Sequence, residues 1–426
     1  MQVISNPDRK NWKEILQRPY ADNTSVYNVV QEILSEVKAG GDDAIRKLTM
    51  KFDKISLESF GATEEETGNA ANEVSEHLKM AIRQAKKNIE TFHQEQVGRV
   101  EIVETMPGIE CWRKSAAIEK VGLYIPGGTA PLFSSVLMLA VPARIAGCRE
   151  VVLCTPSNKE GKVHPAILYT AQLCGITKIY KVGGAQAIAA MAYGTETIPA
   201  VYKIFGPGNQ YVTAAKQLVQ MQGIAIDMPA GPSEVCVLAD ATARPKFVAA
   251  DLLSQAEHGI DSQVVLVSTS TRLVDEVQAE LERQISRLSR RNIAIEALKN
   301  SKAIVVESMN EAVDVVNAYA AEHLIISCAN ADSISQKITN AGSVFLGAYS
   351  PESVGDYASG TNHTLPTNGY ARAYSGVSLD SFVKKITYQK VSEEGLRNIA
   401  GTVIQMAEAE GLDAHANAVR VRLSAE

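Results

Sequence analysis

A regular alternation of short apolar runs and helical stretches, which begins at Val121, constrains the fold of this chain most strongly. VGLYI, VVLCT, KIYKV and VYKIF are each followed by a stretch with helical spacing. Glycines stand at the turns between them, as in Gly127-Gly128, Gly183-Gly184 and Gly206-Pro207-Gly208. Strands that are apolar throughout are buried on both faces, which is typical of parallel sheets covered by helices. The pattern therefore predicts an α/β fold.

A second series of the same kind begins after Pro232. Its apolar runs are VCVLA, QVVLVST, AIVVE, HLIIS and SVFLG, and helical stretches separate most of them. Two series predict two parallel sheets, each resembling half or more of a doubly wound fold. The polar segment from Tyr349 to Gly376 is long for a connector, which favours a functional loop. The chain returns to helix from about Ser392 and closes with AVRVRL, a candidate strand.

Before Val121 the sequence favours helices and one hairpin. Val26–Lys38 has apolar residues at helical spacing and is followed by two glycines, which predict its end. Val74–Val97 is a second predicted helix, and we expect its histidines, His77 and His93, to be solvated. Residues 99–115 alternate around a Pro-Gly turn, which predicts a hairpin.

The overall composition favours an ordinary globular protein that binds small molecules. Of the 426 residues, 46% are hydrophobic, and the formal net charge is −6. A mildly acidic protein is poorly suited to nucleic acid or to an anionic membrane. The uncharged stretch between Lys120 and Arg144 is broken by prolines, so only about half the length of a membrane span is continuous. The six cysteines form no C-x-x-C pair. We therefore expect reduced thiols, no membrane partner and a cytoplasmic location.

Four of the seven histidines have neighbours that could carry chemistry. Gln255 and His258 are three residues apart near the end of a predicted helix and can share one face. An imidazole can bind zinc, but His258 could equally cap the helix. Glu322 and His323 are adjacent at a helix-to-strand junction, where a carboxylate and an imidazole could carry protons or simply form a surface turn.

The other two histidines lie in the last part of the chain. Asp356 and His363 belong to the polar segment, where Asp356 is a candidate oxygen ligand or only a turn former. His415 lies near Glu410 and fits either a ligand or a surface helix terminus. No G-x-G-x-x-G motif follows any strand. The glycine turns could bring backbone N–H groups to a dinucleotide, or could be plain tight turns.

Eight long motifs resemble the histidinol dehydrogenase family, in the family's order from about residue 121 to residue 422. They are GLYIPGGTAPLFSSVLMLAVPARIAG, KVGGAQAIAAMAYGT, KIFGPGNQYVTAAK, IDMPAGPSEV, ADLLSQAEHG, AAEHLI, SPESVGDYASGTNHTLPT and EGLDAHANAVRVR. Ile260 departs from the proline expected there in many relatives. That change removes no functional side chain.

The resemblance implies a zinc-dependent oxidation of L-histidinol to L-histidine through histidinal, with two NAD used in turn. It implies that Glu322 and His323 carry the proton transfers. It implies one zinc ion per subunit, held by Gln255, His258, Asp356 and His415. Contacts to NAD are implied for Tyr124, Gln186 and Asn209, and contacts to the substrate for Ser233, Gln255, His258, His323, Asp356, His363, Glu410 and His415.

The resemblance also implies a homodimer in which the C-terminal segment reaches the partner's site. We expect two Rossmann-like parallel-sheet domains, with small N-terminal and C-terminal helical segments that mediate a swapped dimer. The expected division is 1–23 for the N-terminal segment, 24–125 with 237–376 for the domain with the catalytic and metal residues, 126–236 for the NAD domain, and 377–426 for dimerisation.

Three other functions remain compatible with parts of the sequence. A related zinc dehydrogenase could act on another small amino or sulfonated alcohol, although Glu410 and His363 suit a cationic amine and an imidazole. A zinc hydrolase could use Glu322 as its base, but no H-E-x-x-H motif is present. A non-catalytic binding protein would not need a Glu-His pair beside a metal cluster.

Overall fold

The computed structural model describes residues 1–19, 24–127 and 131–424. Gly128 of the predicted glycine turn, and the predicted boundary after residue 23, lie outside these residues. The strands are β1 (Gln2–Ser5), β2 (Ile102–Met106), β3 (Ile109–Ala117), β4 (Lys120–Tyr124), β5 (Glu150–Cys154), β6 (Lys178–Tyr180), β7 (Lys203–Phe205), β8 (Ala225–Ile226), β9 (Glu234–Ala239), β10 (Gln263–Ser268), β11 (Lys302–Val305), β12 (His323–Ser327), β13 (Ser343–Leu346) and β14 (Val383–Val391).

Helices connect nearly all of these strands. They are α1 (Trp12–Ile15), α2 (Thr24–Phe52), α3 (Glu64–Glu73), α4 (Glu76–Gln94), α5 (Phe133–Ala146), α6 (Pro165–Leu173), α7 (Gly184–Tyr193), α8 (Gln210–Gln220), α9 (Pro245–Ala256), α10 (Thr271–Ile285), α11 (Arg291–Lys299), α12 (Met309–Tyr319), α13 (Ala331–Ser335), α14 (Glu352–Tyr357), α15 (Glu393–Ala409) and α16 (Asp413–Leu423). Short 3₁₀ turns cover Arg9–Asn11, Tyr370–Arg372 and Leu379–Phe382.

The first series of strands forms a five-stranded parallel sheet in the order β6-β5-β4-β7-β8. Successive residues of a strand face opposite sides, so Val152 and Cys154 of β5 pack with α2, α7 and α8, whereas Leu153 packs with α5 and α6. The first strand, β4, lies between β5 and β7. The chain therefore changes direction across the sheet at β4, as in a Rossmann half.

The second series forms a six-stranded parallel sheet in the order β1-β11-β10-β9-β12-β13. Strands β9 to β13 repeat the order of the first sheet, with β9 between β10 and β12. Both faces are covered, one by α9 to α11 and the other by α12, α13 and Trp12. The prediction of two parallel sheets covered by helices is confirmed.

A smaller antiparallel sheet, in the order β14-β3-β2, continues into the last two helices. The predicted hairpin is confirmed as β2 and β3. The prediction of a strand at AVRVRL is wrong, because these residues belong to α16. The alanines at residues 414, 416 and 418 favour a helix, and Ala416 is buried.

The segment 24–125 is arranged differently from the expected division of the chain. Its last strand, β4, lies at the centre of the five-stranded sheet. Helix α2 packs on α7 and α8, and α4 packs on α5. The segment thus covers the five-stranded sheet instead of joining the six-stranded one, because its apolar helix faces match that sheet. The N-terminal segment was expected to be helical. It also contains β1, which pairs with β11 at the edge of the six-stranded sheet.

Of two local expectations in the first part of the chain, one is confirmed and the other, that His93 is solvated, is wrong. The first helix does end at the two glycines, because Gly41 has a non-helical backbone with φ +52° and ψ −132°, and a second helix follows directly and continues to Phe52. His93 is fully buried, and its Nδ1 donates a hydrogen bond to the carbonyl oxygen of Ile89 at 2.9 Å. The face of α4 that carries His93 is therefore the packed face.

The structure also describes the cysteines and the apolar helices. None of the six cysteines is disulfide-bonded, and four of them are buried. No described helix is both long and apolar enough to cross a membrane.

Candidate active site

The carboxyl edge of the five-stranded sheet is held together around Gly206, which follows β7. A Cβ atom at Gly206 would lie 2.1 Å from the carbonyl oxygen of Tyr124, and φ is +127°, so only glycine fits. The ammonium of Lys216 donates to the carbonyl oxygen of Gly206 at 2.9 Å, and Asp227 Oδ2 accepts from the amide N–H of Gly206 at 2.8 Å. Lys216 and Asp227 also form a buried ion pair. This crevice between β4 and β7 is where an open α/β sheet binds its ligand.

The three residues predicted to contact NAD lie at the turns of this edge. Tyr124 ends β4, and its hydroxyl accepts a hydrogen bond from the amide N–H of Gly184 at 3.1 Å. Gln186 is buried in the first turn of α7. Asn209 is the exposed N-cap of α8, and its Oδ1 accepts from the amides of Tyr211 and Val212. The positive end of the α8 dipole therefore faces the same crevice.

The Glu-His pair lies at the amino edge of the six-stranded sheet. His323 begins β12, and Glu322 immediately precedes it. Glu322 Oε2 accepts a hydrogen bond from the backbone N–H of Glu234, the first residue of the neighbouring β9, at 2.9 Å. Both side chains are buried. Burial raises the pKa of Glu322 to about 7, although the charge of His323 and this hydrogen bond oppose the increase.

The ring of His323 lies between two carboxylates. Its Nδ1 is 3.6 Å from Glu322 Oε2, and its Nε2 is 3.3 Å from Asp356 Oδ1. Neither contact has hydrogen-bond geometry, so both ring nitrogens can take up a further partner. Burial lowers the pKa of His323, but the facing carboxylates outweigh burial and raise it to about 10. Burial likewise opposes ionisation of Asp356, yet the contact with His323 holds its pKa below the usual value.

His363 has a fixed tautomer in this structure. Its Nδ1 lies 2.8 Å from the carbonyl oxygen of Asp356, which can only accept, so Nδ1 carries the hydrogen. Its Nε2 lies 3.1 Å from the hydroxyl of Ser135 and therefore accepts from it. Burial lowers the pKa of His363 and favours this neutral form. Both ring nitrogens are thus engaged, and the two bonds fix the orientation of the ring.

Gln255 and His258 lie at the C-terminal end of α9, which points to the same edge. The side chain of Gln255 is 1% exposed, and neither of its amide atoms has a hydrogen-bond partner among the described residues. Buried polar atoms without partners are rare in native proteins. His258 is exposed just beyond the helix, and its charge acts on Asp356.

An amide oxygen, an imidazole and a carboxylate match the mixed O/N donors that zinc accepts. Within the described part of the chain, however, no three His, Cys, Asp or Glu side chains already form a metal-binding group. The orphaned amide of Gln255 fits a metal ligand.

Of the remaining predicted site residues, one lies beside the Glu-His pair and two lie on the surface of the chain. Ser233 is half-buried and directly precedes β9, next to Glu234. Glu410 and His415 are exposed on the hairpin of α15 and α16. Neither side chain forms a hydrogen bond or ion pair with the other predicted site residues that the structure describes.

Three features of the site were not predicted from the sequence. Glu352 is buried one helical turn before Asp356 and lies close enough to His323 that its ionised form would raise the pKa of that imidazole. Its spacing of four residues from Asp356 is a signal that the sequence does contain. Ser135 meets His363 from a helix more than 200 residues away, for which the sequence holds no signal. The sequence likewise holds no signal for Arg18, whose Nε donates to Glu234 Oε2 at 2.8 Å.

The fold and the site define an α/β enzyme with two Rossmann-like sheets and a buried acid–base pair beside their junction. The sequence profile of the histidinol dehydrogenase family, described as "Histidinol dehydrogenase", matches residues 16–423. The histidinol dehydrogenase of Bacteroides thetaiotaomicron is 59% identical over 424 residues, covering 100% of this chain and 99% of that protein. That of Bacteroides fragilis is 62% identical over 423 residues, covering 99% of each.

A solved structure leads to the same assignment. The crystal structure of histidinol dehydrogenase from Elizabethkingia anophelis superposes with a TM-score of 0.98 at 54% identity, covering 100% of this chain and 98% of that one. The chain therefore belongs to the histidinol dehydrogenase family, and it is an NAD-dependent oxidoreductase.

Proposed function

We propose that this chain oxidises L-histidinol to L-histidine through histidinal, with two NAD reduced per substrate molecule and one zinc ion per subunit. The relatives carry the name of this substrate, which supports the choice of L-histidinol. The observation that carries the proposal is the buried Glu322-His323 pair beside Asp356. Such a pair supplies two proton carriers with different pKa values in one site.

In the first oxidation, His323 accepts the proton of the substrate hydroxyl. The hydride leaves from the same carbon to NAD, and the aldehyde forms. Both ring nitrogens of His323 lack a hydrogen-bond partner among the described residues, which leaves either free to reach the substrate. A base must hold a lone pair, so His323 acts only after its own proton has left.

In the second oxidation, Glu322 takes a proton from water as the water oxygen attacks the aldehyde carbon. The resulting hydrate loses a hydride to a second NAD and becomes the carboxylate. The balance is one alcohol, one water and two NAD⁺ to one carboxylate, two NADH and three protons. The raised pKa of Glu322, about 7, suits a group that must both accept and release a proton near neutrality.

Gln255, His258 and Asp356 would hold the zinc ion, together with His415 of the partner subunit. A bound zinc ion would orient the imidazole and amine of the substrate and would favour their unprotonated forms. Within this chain, the unpartnered amide of Gln255 supports a ligand at this position. Ser233, His363 and Glu410 would complete the substrate contacts, and Tyr124, Gln186 and Asn209 those to NAD.

A homodimer with exchanged C-terminal segments would bring Glu410 and His415 to the other subunit's site. Both residues are exposed in the single chain, which supports such an exchange. Large apolar side chains are also exposed along the same segment, and a second copy would cover them; they are Ile386, Tyr388, Val391, Met406, Leu412 and Val421. We further propose a cytoplasmic location, since the thiols are unpaired.

Purified protein with zinc and L-histidinol tests the activity directly. We expect two NADH for each L-histidinol consumed, with L-histidine as the product. A small amino alcohol without the imidazole ring is the control substrate and should give far less NADH. No NADH from L-histidinol, or faster turnover of the control, would overturn the choice of substrate.

Mixing two inactive variants tests the exchange of segments. His415→Ala and His323→Ala each remove one group, and each homodimer should be nearly inactive. A heterodimer contains one site with both groups intact if the segments are exchanged, so activity should return after subunits are mixed. Activity that stays at the level of the parents would show that each site is built from one chain.

A further inference from the structure

Helices α9 and α14 are joined by a hydrogen-bonded pair of side chains. The hydroxyl of Ser254 on α9 lies 2.8 Å from Oε1 of Glu352 on α14. Ser254 directly precedes Gln255, and Glu352 lies one helical turn before Asp356. The bond therefore links the two helices at points next to two of the proposed zinc ligands.

The burial of the Glu352 carboxyl group destabilises the folded protein. Its side chain is 1% exposed, and Oε2 has no hydrogen-bond partner among the described residues. A buried polar atom without a partner destabilises the folded protein by roughly 1–3 kcal/mol. An apolar residue of similar size would avoid that cost, so a stabilising role does not explain a carboxyl group at this position.

The contacts of Ser254 show which form of Glu352 the structure favours. The Ser254 hydroxyl lies 2.8 Å from the carbonyl oxygen of Asp251 and 2.8 Å from Glu352 Oε1. A hydroxyl has one hydrogen and a carbonyl can only accept, so both contacts are hydrogen bonds only if the carboxyl group of Glu352 donates. A neutral acid does not compete with Asp356 for a cation, and it can still hold Ser254 in place.

We propose that Glu352 is a positioning residue that, through Ser254, fixes the separation of α9 and α14 and thereby sets Gln255 and Asp356 for a divalent cation. The inference rests on the zinc site proposed above. Residues behind the ligands of a metal orient those ligands, and their loss typically costs about 10–100-fold in metal affinity.

The test is a zinc titration of the full-length protein, stripped of metal, in competition with a chromophoric chelator. Glu352→Met keeps the volume but removes the bond to Ser254, and Ser254→Ala removes the other partner. We expect each variant to bind zinc at least about tenfold more weakly than the original chain. Glu352→Gln can still bond to Ser254 and should stay within about threefold of the original chain.

Thermal unfolding of the metal-free proteins separates positioning from general stability. Glu352→Met should unfold at or above the Tm of the original chain, because an unpartnered buried carboxyl group is removed. The matched control is Ser301→Ala. Ser301 is another buried serine, which donates to the carbonyl of Ala297 and accepts from the amide of Val264, away from the site. Ser301→Ala should have a lower Tm than the original chain and the same affinity for zinc.

The outcomes separate this inference from the zinc site itself. If the original chain takes up no zinc, the zinc site fails and the inference fails with it. If the original chain binds zinc and Glu352→Met binds it equally tightly, only the inference fails. A loss of zinc affinity that merely follows a loss of metal-free Tm would also overturn it.

Discussion

The hydroxyl of Ser135 lies 3.1 Å from Nε2 of His363 and connects the two halves of the molecule. Ser135 belongs to α5, which begins at the carboxyl edge of the five-stranded sheet. His363 belongs to the loop that follows α14, beside the amino edge of the six-stranded sheet. Next to this bond, Nδ2 of Asn362 donates to the carbonyl oxygen of Met138 at 2.6 Å. The edge proposed for NAD therefore meets the edge that carries Glu322 and His323.

Ser135→Ala should impair use of the alcohol substrate more than use of NAD. Without the hydroxyl, Nε2 of His363 has no fixed donor, and a neutral hydrogen bond of this kind contributes about 1 kcal/mol. We expect kcat/KM for L-histidinol to fall about five- to tenfold, with KM for NAD nearly unchanged. Steady-state kinetics measure both. Ser134→Ala, the neighbouring buried serine, is the control, and an equal effect there would contradict the role of Ser135.

His323→Asn should lower turnover without removing the metal. Loss of a general base typically costs about 10²–10⁴-fold in kcat. Because His323 is placed as a proton carrier and not as a ligand, zinc content should stay near that of the original chain. Metal analysis beside kinetics measures both quantities, with His77→Asn as the control at an exposed histidine. Loss of zinc would instead make His323 a ligand.

Lys216→Met should weaken NAD binding through Gly206. The variant leaves Asp227 buried without its cation and frees the carbonyl of Gly206, and breaking a buried pair in this way costs about 3–5 kcal/mol. We expect a lower free energy of unfolding and a KM for NAD raised more than the KM for L-histidinol.

Lys181→Met is the matched control for that variant. Lys181 also pairs with a carboxylate in the same half of the chain, Glu66, at 3.2 Å. Its replacement should lower stability without a selective effect on NAD. Equal changes in both KM values for Lys216→Met would show that the ion pair has no link to NAD.

His93 should make the protein less stable as the pH falls below neutrality. Burial lowers the pKa of His93 in the folded state below its usual 6.5. Between those two pKa values the unfolded chain binds more protons, so stability is present above about pH 6.5 and is lost as the pH falls. The free energy of unfolding is measured with urea at pH 5.5 and at pH 7.5. His93→Leu should make the difference between these two free energies smaller, and His77→Leu should leave the difference unchanged. A similar change in both variants would show that the titration of His93 does not cause the loss of stability.

The local pattern of the sequence was sufficient for most strands and helices. The apolar runs predicted β4 to β7 and β9 to β13, because a parallel strand covered on both faces has no exposed side chain to interrupt its apolar run. The same reasoning failed where one pattern fits two structures. In AVRVRL, alternating valines and arginines fit a strand, but the alanines before them and the contact with α15 favour a helix.

The candidate site was predicted residue by residue, but its assembly was not. Family motifs marked Glu322, His323 and Asp356, and the structure places the ring of His323 within 4 Å of both carboxylates. The motifs contained no signal for Ser135, since a hydrogen bond between residues 228 positions apart depends on how the two halves pack. Glu352 was missed although its spacing of four residues from Asp356 was a signal, because its burial cannot be seen in the sequence.

The sequence by itself determined the class of fold, most strands of both sheets and the residue types available for chemistry, because those depend on local periodicity and composition. Only the tertiary structure decided which sheet each segment joins, which histidines are buried, and which residues from distant segments meet His323 and His363. These features depend on contacts between distant residues and on the loss of water around them. All seven histidines have the same side chain. His323 differs from the six others because it is buried between two carboxylates, which raise its pKa.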